Sequence, residues 1–265
     1  GRVGVVYPTF EEYPNRYDKD RIVTFVPENS DFSYTADDLK QYFAEQELEA
    51  LLLINPDNPS GNFISKADVL DMAVWCEQRG VRFIVDESFV DFADGYPDNS
   101  LLHNDILAAH PTMGVMKSIS KSYGVPGLRL GVFATADKDL IGYMRGDVAI
   151  WNINSFAEFY MQIFGKYESD YRAACYRFIE ERSRFYQELR KIDYIRVIPS
   201  QANYFLCEIT DRFTAHELTL QLLEKFNILI KDCSTKKGFA GRNYIRIAIR
   251  DRRDNDRLVE ALNNL

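Results

Sequence analysis

The stretch SISKSYGVPGLRLG, Ser118 to Gly131, gathers three serines, a lysine, three glycines and an arginine between two apolar runs. A surface turn has use for the glycines and the proline. It has none for Lys121 directly after Ser-Ile-Ser, or for Arg129 eight residues further on. Hydroxyls, an ammonium and a guanidinium at this spacing make a cradle for an anion. Three other places have a similar character: Pro8-Thr9-Phe10 near the start, NPDNPSG (Asn55 to Gly61) after LLLI, and Asp86-Glu87-Ser88-Phe89 after RFIV. In doubly wound sheets ligands bind at the carboxyl ends of strands, where these residues would fall.

Each motif also has a structural alternative. NPDNPSG contains the usual ingredients of a turn, Asp86 could be a helix cap or a surface acid, and a lone lysine is most often solvated; Lys117 nearby shows that lysines occur here by chance. Taken together the four motifs suit one cofactor, pyridoxal phosphate. It needs a lysine amine for a Schiff base, an acid against the pyridine nitrogen, donors to the phosphate and a flat apolar partner for the ring. Lys121, Asp86, Ser118 with Ser120 and Arg129, and Phe10 can supply these in turn.

The elements that must position these residues show in the periodicity. Short apolar runs at Ala50 to Ile54, Val81 to Val85, Met113 to Met116 and Leu130 to Ala134 alternate with helical patterns, the signature of an α/β domain with buried strands. Ser65 to Gly80 is the clearest helix, with Ser65 as its N-cap, Asp68 in its first turn, Val69, Met72, Ala73 and Cys76 on one face, and Gly80 as its stop. From about Ser155 long helical periodicity takes over, Phe156 to Tyr167 and Asp170 to Ile192. Strand candidates then follow at Ile195 to Ile198, Asn203 to Ile209, Ile228 to Ile230 and Tyr244 to Ile249, with helices from Ala215 to Phe226 and Asp254 to Leu262. The expected organisation is a large cofactor-binding domain over 1–155, and a connecting helix with a small α+β domain over 156–265.

Composition narrows the function classes. The 265 residues carry a net charge of −8 with basic residues scattered rather than striped, which disfavours a nucleic-acid surface and points to small-molecule partners. Cys76, Cys175, Cys207 and Cys233 are far apart and read as reduced thiols of a cytoplasmic protein. His103, His110 and His216 lack ligand spacing, so no metal site is expected, and no apolar run has the length of a membrane span. The chain enters a strand-like composition at once, Gly1 to Pro8, as though cut from something longer.

The order PTF, NPDNPSG, DESF, SISKSYGVPGLRLG, then an arginine in NYIRIAIR, resembles the class I/II aminotransferases of the fold type I pyridoxal-phosphate enzymes, over essentially the whole chain. Within them it looks most like the histidinol-phosphate aminotransferases and threonine-phosphate decarboxylases. The resemblance implies a mostly parallel sheet with helices on both faces plus a smaller C-terminal α+β domain, and a homodimer. It makes Lys121 the Schiff-base lysine and proton shuttle, with Asp86 the partner of the pyridinium nitrogen. Asn58 becomes the donor to the ring 3-hydroxyl, Phe10 the stacking ring, and Ser118, Arg129 and, less directly, Ser120 the phosphate ligands. Arg246 matches the arginine that forks onto the substrate α-carboxylate, and Arg250 is a secondary candidate for a second anion.

Two departures stand out. Phe89 occupies the place where many family members have a tyrosine that helps the 3-hydroxyl, which tilts the resemblance towards the decarboxylases. The family's Gly/Ser-rich phosphate loop should precede Gly1, leaving the phosphate site incomplete. The leading expectation is transamination of an amino acid to a 2-oxo acid, with decarboxylation of a (phospho-)amino acid as the alternative. A reading of another class is a non-catalytic sensing or fusion-partner domain; domains of this kind also occur behind a nucleotidyltransferase.

Overall fold

A computed structural model describes residues 1–239 and 241–265 of the chain. Strands β1 (Val3–Val6), β2 (Ile22–Phe25), β3 (Ala50–Ile54), β4 (Arg82–Asp86), β5 (Met113–Ser118) and β6 (Gly131–Thr135) form one sheet in the order β2-β1-β3-β4-β5-β6. The first five run parallel. Their connections carry helices α1 (Glu12–Asn15), α2 (Ala36–Phe43), α3 (Lys66–Gln78) and α4 (Asn104–Ala109). Leu51, Leu53, Phe83, Val85, Met113 and Val115 from the strands close one core with Leu39 and Phe43 of α2 and Val69 and Met72 of α3.

Local chemistry sets these elements. In α3 the apolar residues recur at helical spacing, and all four expected core positions are buried. Ser65 accepts from the Asp68 N–H at 3.2 Å, while Gly80, at φ +68°, takes the left-handed conformation in which the chain leaves the helix. The run at Leu130 departs from the sequence expectation of a strand buried like the others. β6 is an antiparallel edge strand whose Val132 is 40 % exposed. Its connection from β5 holds only the single turn α5 (Ile119–Ser122) and a 3₁₀ turn over Pro126–Leu128, and the Ile119 N–H donates to the Leu130 carbonyl at 3.1 Å. The chain therefore returns alongside β5 instead of crossing over.

After α6 (Lys138–Asp147), α7 (Ser155–Phe164) and α8 (Glu168–Leu189) comes an antiparallel sheet of β7 (Ile195–Val197), β8 (Tyr204–Ile209), β9 (Lys231–Asp232) and β10 (Tyr244–Ala248), ordered β7-β8-β10-β9. Phe205, Cys207, Ile245 and Ile247 pack with residues of α8, of α9 (Ala215–Phe226) and of α10 (Arg252–Asn263) in a second core. The strand expected at Ile228 to Ile230 lies three residues later. Asn227 leaves α9 in a left-handed conformation at φ 54°, and the Ile228 N–H donates back to the Leu222 carbonyl at 3.1 Å, so this segment still finishes the helix.

Side chains tie the two sheets together. The Tyr204 hydroxyl donates to the Asp57 carbonyl at 2.8 Å and the Tyr244 hydroxyl to the Ser30 carbonyl at 3.0 Å; buried Arg182 donates to the Phe92 carbonyl. All four cysteines are buried and unpaired. Among the described residues no helix is long and apolar enough to cross a membrane.

Candidate active site

Three strands of the first sheet end at one cleft. β3 leads into NPDNPSG, β4 ends in Asp86, and β5 runs into the turn that carries Lys121. The cleft encloses about 480 Å³, and its lining includes Phe10, Asn58, Asp86, Ser118, Ser120, Lys121 and Arg129. Seven of the candidate residues read from motifs spread over 120 positions thus share one wall. Such a volume is that of a small-molecule site.

NPDNPSG is more than a turn. Asn55 fixes the loop by bonding both ways to the Ile64 backbone at 2.9 Å. Gly61 sits at φ +76°, where an added Cβ would run into Ser200 of the β7–β8 connection. The loop so held presents Asn58, 7 % exposed, whose Oδ1 accepts from Arg246 Nη1 at 2.8 Å. The Asn58 amide N–H groups have no acceptor among the described residues, and Asn58 lines the cleft. Arg246 comes from β10 and lies 4.9 Å above the Tyr204 ring, a cation–π contact that keeps its guanidinium plane in place.

Asp86 is 8 % exposed and richly bonded. Its Oδ1 accepts from the backbone N–H and the hydroxyl of Ser88, and its Oδ2 accepts from the Tyr13 hydroxyl at 2.5 Å. The Ser88 hydroxyl in turn accepts from the Ser118 N–H at 2.9 Å, which joins the acid to the lysine-bearing turn. A carboxylate offers about four lone-pair sites, so one site of Oδ2 remains for a ring N–H. Burial, and then the neighbouring Asp86 charge, pushes the Tyr13 phenol above its ordinary range, so it remains a donor. Burial and then the charge of Asp57 do the same to Tyr204. Tyr13→Phe removes a bond to a buried charge, and the stability of the chain is expected to fall by roughly 1.5–3 kcal/mol. Urea denaturation checks this, and an unmoved midpoint would mean that the bond carries nothing.

The Lys121 side chain has no hydrogen-bond or ion-pair partner among the described residues, and its Nζ stands 6.0 Å from the centre of the Phe89 ring. Lys117, which the motif spacing leaves without a role, is not a chance surface lysine. It is 7 % exposed and bonds Asp91 Oδ1 at 2.8 Å. Ser118 and Ser120 sit on either side of the β5–α5 junction, and the Ser118 hydroxyl has no partner among the described residues. Arg129, left-handed at φ 56°, has a single long bond to the Pro126 carbonyl at 3.2 Å. Phe10 is 45 % exposed and stands edge-on to Tyr13 with ring centres 5.9 Å apart.

Arg250 is not brought to the cleft. β10 ends at Ala248, and Arg250 bonds Asp254 of α10 at 2.5 Å on the surface. Conversely, Tyr13, Ser88, Asp91 and Tyr204 escaped sequence reasoning. Ser88 carries a local signal, since an aspartate commonly bonds the backbone two residues on. Tyr13 had only its spacing of three from Phe10 in a helical context.

The donor set fits pyridoxal phosphate: a lysine amine without a partner, a buried carboxylate with one free lone pair, an amide donor, and two hydroxyls with a guanidinium for a phosphate. Comparison with known proteins agrees. Residues 3–262 match the sequence family described as aminotransferase class I and II. The chain is 32% identical over 262 residues to a CMP-5'-(3-aminopropyl)phosphonate synthase of Streptomyces rubellomurinus, covering 99% of this chain and 41% of that protein. It is 32% identical over 273 residues to an L-serine phosphate decarboxylase of Sulfurospirillum multivorans, covering 100% of this chain and 68% of that protein. The chain thus spans less than half the length of the first relative and about two thirds of the second. The crystal structure of the histidinol-phosphate aminotransferase from Clostridium acetobutylicum superposes with a TM-score of 0.85 at 25% identity, covering 100% of this chain and 78% of that one.

Proposed function

We propose that this chain, which belongs to the class I and II aminotransferase family, is the reacting part of a pyridoxal-phosphate enzyme that decarboxylates a phosphorylated amino acid. The observation that carries the enzymatic part is an unpartnered Lys121 in the same cleft as the buried carboxylate of Asp86. Two things support decarboxylation: the relative named as an L-serine phosphate decarboxylase, and Phe89, which lines the cleft without the hydroxyl of the tyrosine that many family members have there.

When bound, the cofactor supplies an aldehyde for the substrate amine and a ring that takes up the electron pair left on the α-carbon. The protein's residues do the rest. Asp86 holds a proton at the ring nitrogen, with its orientation set by Ser88 and Tyr13. Asn58 would donate through its amide, Phe10 would supply an apolar face to the ring, and Ser118, Ser120 and Arg129 would hold the phosphate. Arg246 exchanges its bond to Asn58 for the substrate carboxylate or phosphate, which a planar guanidinium can grip with two bonds. Lys121 Nζ, free of competing bonds among the described residues, would deliver a proton to the α-carbon once carbon dioxide has left.

Transamination is the second reading, supported by the likeness to a histidinol-phosphate aminotransferase. There Lys121 removes the α-proton instead of supplying one. The chain loaded with pyridoxal phosphate should be incubated with O-phosphoserine, O-phosphothreonine and histidinol phosphate, with and without a 2-oxo acid. Carbon dioxide release with formation of the amine is expected. A new 2-oxo acid or ketone without carbon dioxide would replace decarboxylation by transamination. Retained cofactor with neither product would favour a non-catalytic domain.

A further inference from the structure

We propose that Asp91 decides which of two cleft lysines can engage the cofactor, by holding Lys117 as a bonded ammonium and leaving Lys121 as the one reactive amine. This rests on the reading of Lys121 given above. Lys117 and Lys121 are four residues apart and both line the cleft. Their side chains have the same intrinsic chemistry, so selectivity has to come from their surroundings. Lys117 is buried on β5 and bonds Asp91 Oδ1 at 2.8 Å. Lys121 faces the open side with no anionic partner among the described residues.

Asp91 is itself fixed. It is 6 % exposed, and its Oδ2 accepts from the hydroxyls of Ser122 and Tyr171, each at 2.7 Å. Tyr171 reaches in from α8 and stacks on Tyr123 with ring centres 4.2 Å apart and planes 12° apart. One carboxylate thus clamps Lys117, the residue after Lys121, and the long helix of the chain's second half. An ammonium has donors and no lone pair, whereas attack on an aldehyde needs the neutral amine. Removing the carboxylate would leave a buried, unpaired ammonium, and such a group commonly neutralises by losing its proton. Lys117 would then become a second nucleophile in the cleft. Asp91 is on this account a positioning residue that never touches the cofactor.

The test traps the amine chemically. An amine nitrogen bonds to the aldehyde carbon of pyridoxal phosphate with loss of one water; borohydride then adds hydride to that carbon and solvent protonates the nitrogen. The reduced adduct is located by peptide mass spectrometry. In full chains carrying Lys121→Ala, with Asp91 intact, the Lys117 peptide should stay unlabelled although Lys117 is the remaining lysine lining the cleft. With Lys121→Ala and Asp91→Asn together, labelling of Lys117 should rise by at least about tenfold, equivalent to about 1.4 kcal/mol. Asp91→Glu in place of Asp91→Asn should restore protection.

Ready labelling of Lys117 in Lys121→Ala alone would overturn the proposal. So would an unlabelled Lys117 in the Asp91→Asn chain, once circular dichroism shows that chain folded. Should Asp91→Asn fail to fold, the Lys121→Ala chain decides alone. The label on Lys121 in the wild-type chain tests the underlying reading separately, because the Lys117 comparison uses chains that lack Lys121.

Discussion

Lys121→Ala is expected to lower turnover by at least about ten-thousandfold while the folding free energy stays within roughly 1 kcal/mol of the parent. The two halves of this expectation have separate grounds. Lys121 is exposed and its side chain makes no hydrogen bond or ion pair among the described residues, so truncating it breaks neither. Chemically it does two jobs, engaging the cofactor through its amine and moving a proton at the substrate α-carbon, and alanine does neither. Lys121→Arg should fail almost as badly, because a guanidinium keeps its proton and has no lone pair to offer. Steady-state kinetics with urea denaturation separates a dead enzyme from an unfolded one. Activity retained within about tenfold of wild type in a folded Lys121→Ala chain would assign the chemistry to another amine.

Arg246→Ala is expected to raise the Michaelis constant by about 2 to 5 kcal/mol of lost binding, on the order of tens to thousands of fold. Arg246 is held by Asn58 on one side and by the Tyr204 ring on the other, so its fork is aimed before any substrate arrives. A substrate anion has only to displace one neutral amide oxygen, which a charge-assisted pair does readily. Lys at this position should recover part of the affinity, since it keeps the charge and loses the two-bond geometry. Arg250→Ala is the natural control. That side chain is exposed and paired with Asp254 within one helical turn, so its loss should leave the Michaelis constant within about twofold. Equal effects at both positions would remove Arg246 from the substrate site.

The candidate site was legible in the sequence wherever its residues follow directly on a strand. Asp86, Asn58 and Lys121 lie at or just beyond the ends of β4, β3 and β5, and short buried runs announce those ends without knowledge of the partners. Helix α3 was legible for a similar reason, since Ser65 and Gly80 act on their own neighbours in the chain. Arg250 shows where this reasoning stops. Alternation places Arg246 and Arg250 on one face only while the strand lasts; β10 ends at Ala248, and Asp251 then caps the next helix. The direction of β6 was hidden in the same way, because it depends on how two single turns between Ile119 and Leu130 fold back, and apolar spacing does not report that.

Pairings across elements left no mark at all. Tyr13 and Asp86 are separated by 73 positions and Lys117 and Asp91 by 26, so neither contact has a period or a motif to betray it. Lys117 is set apart from Lys121 in the sequence by its place before the Ser-Ile-Ser-Lys run, but its bond to Asp91 came only with the fold. Residue types fixed by local backbone geometry were therefore readable. The groups that orient them came only with the fold.

The central claim, that Lys121 is the amine that engages pyridoxal phosphate, meets its most direct test in one measurement on the wild-type chain. The protein is saturated with pyridoxal phosphate, reduced with borohydride, digested and mapped by mass spectrometry. The account predicts that the pyridoxyl mass falls on the peptide containing Lys121 and that the Lys117 position stays unmodified. Label on Lys117, or a cofactor released intact after reduction, would contradict it.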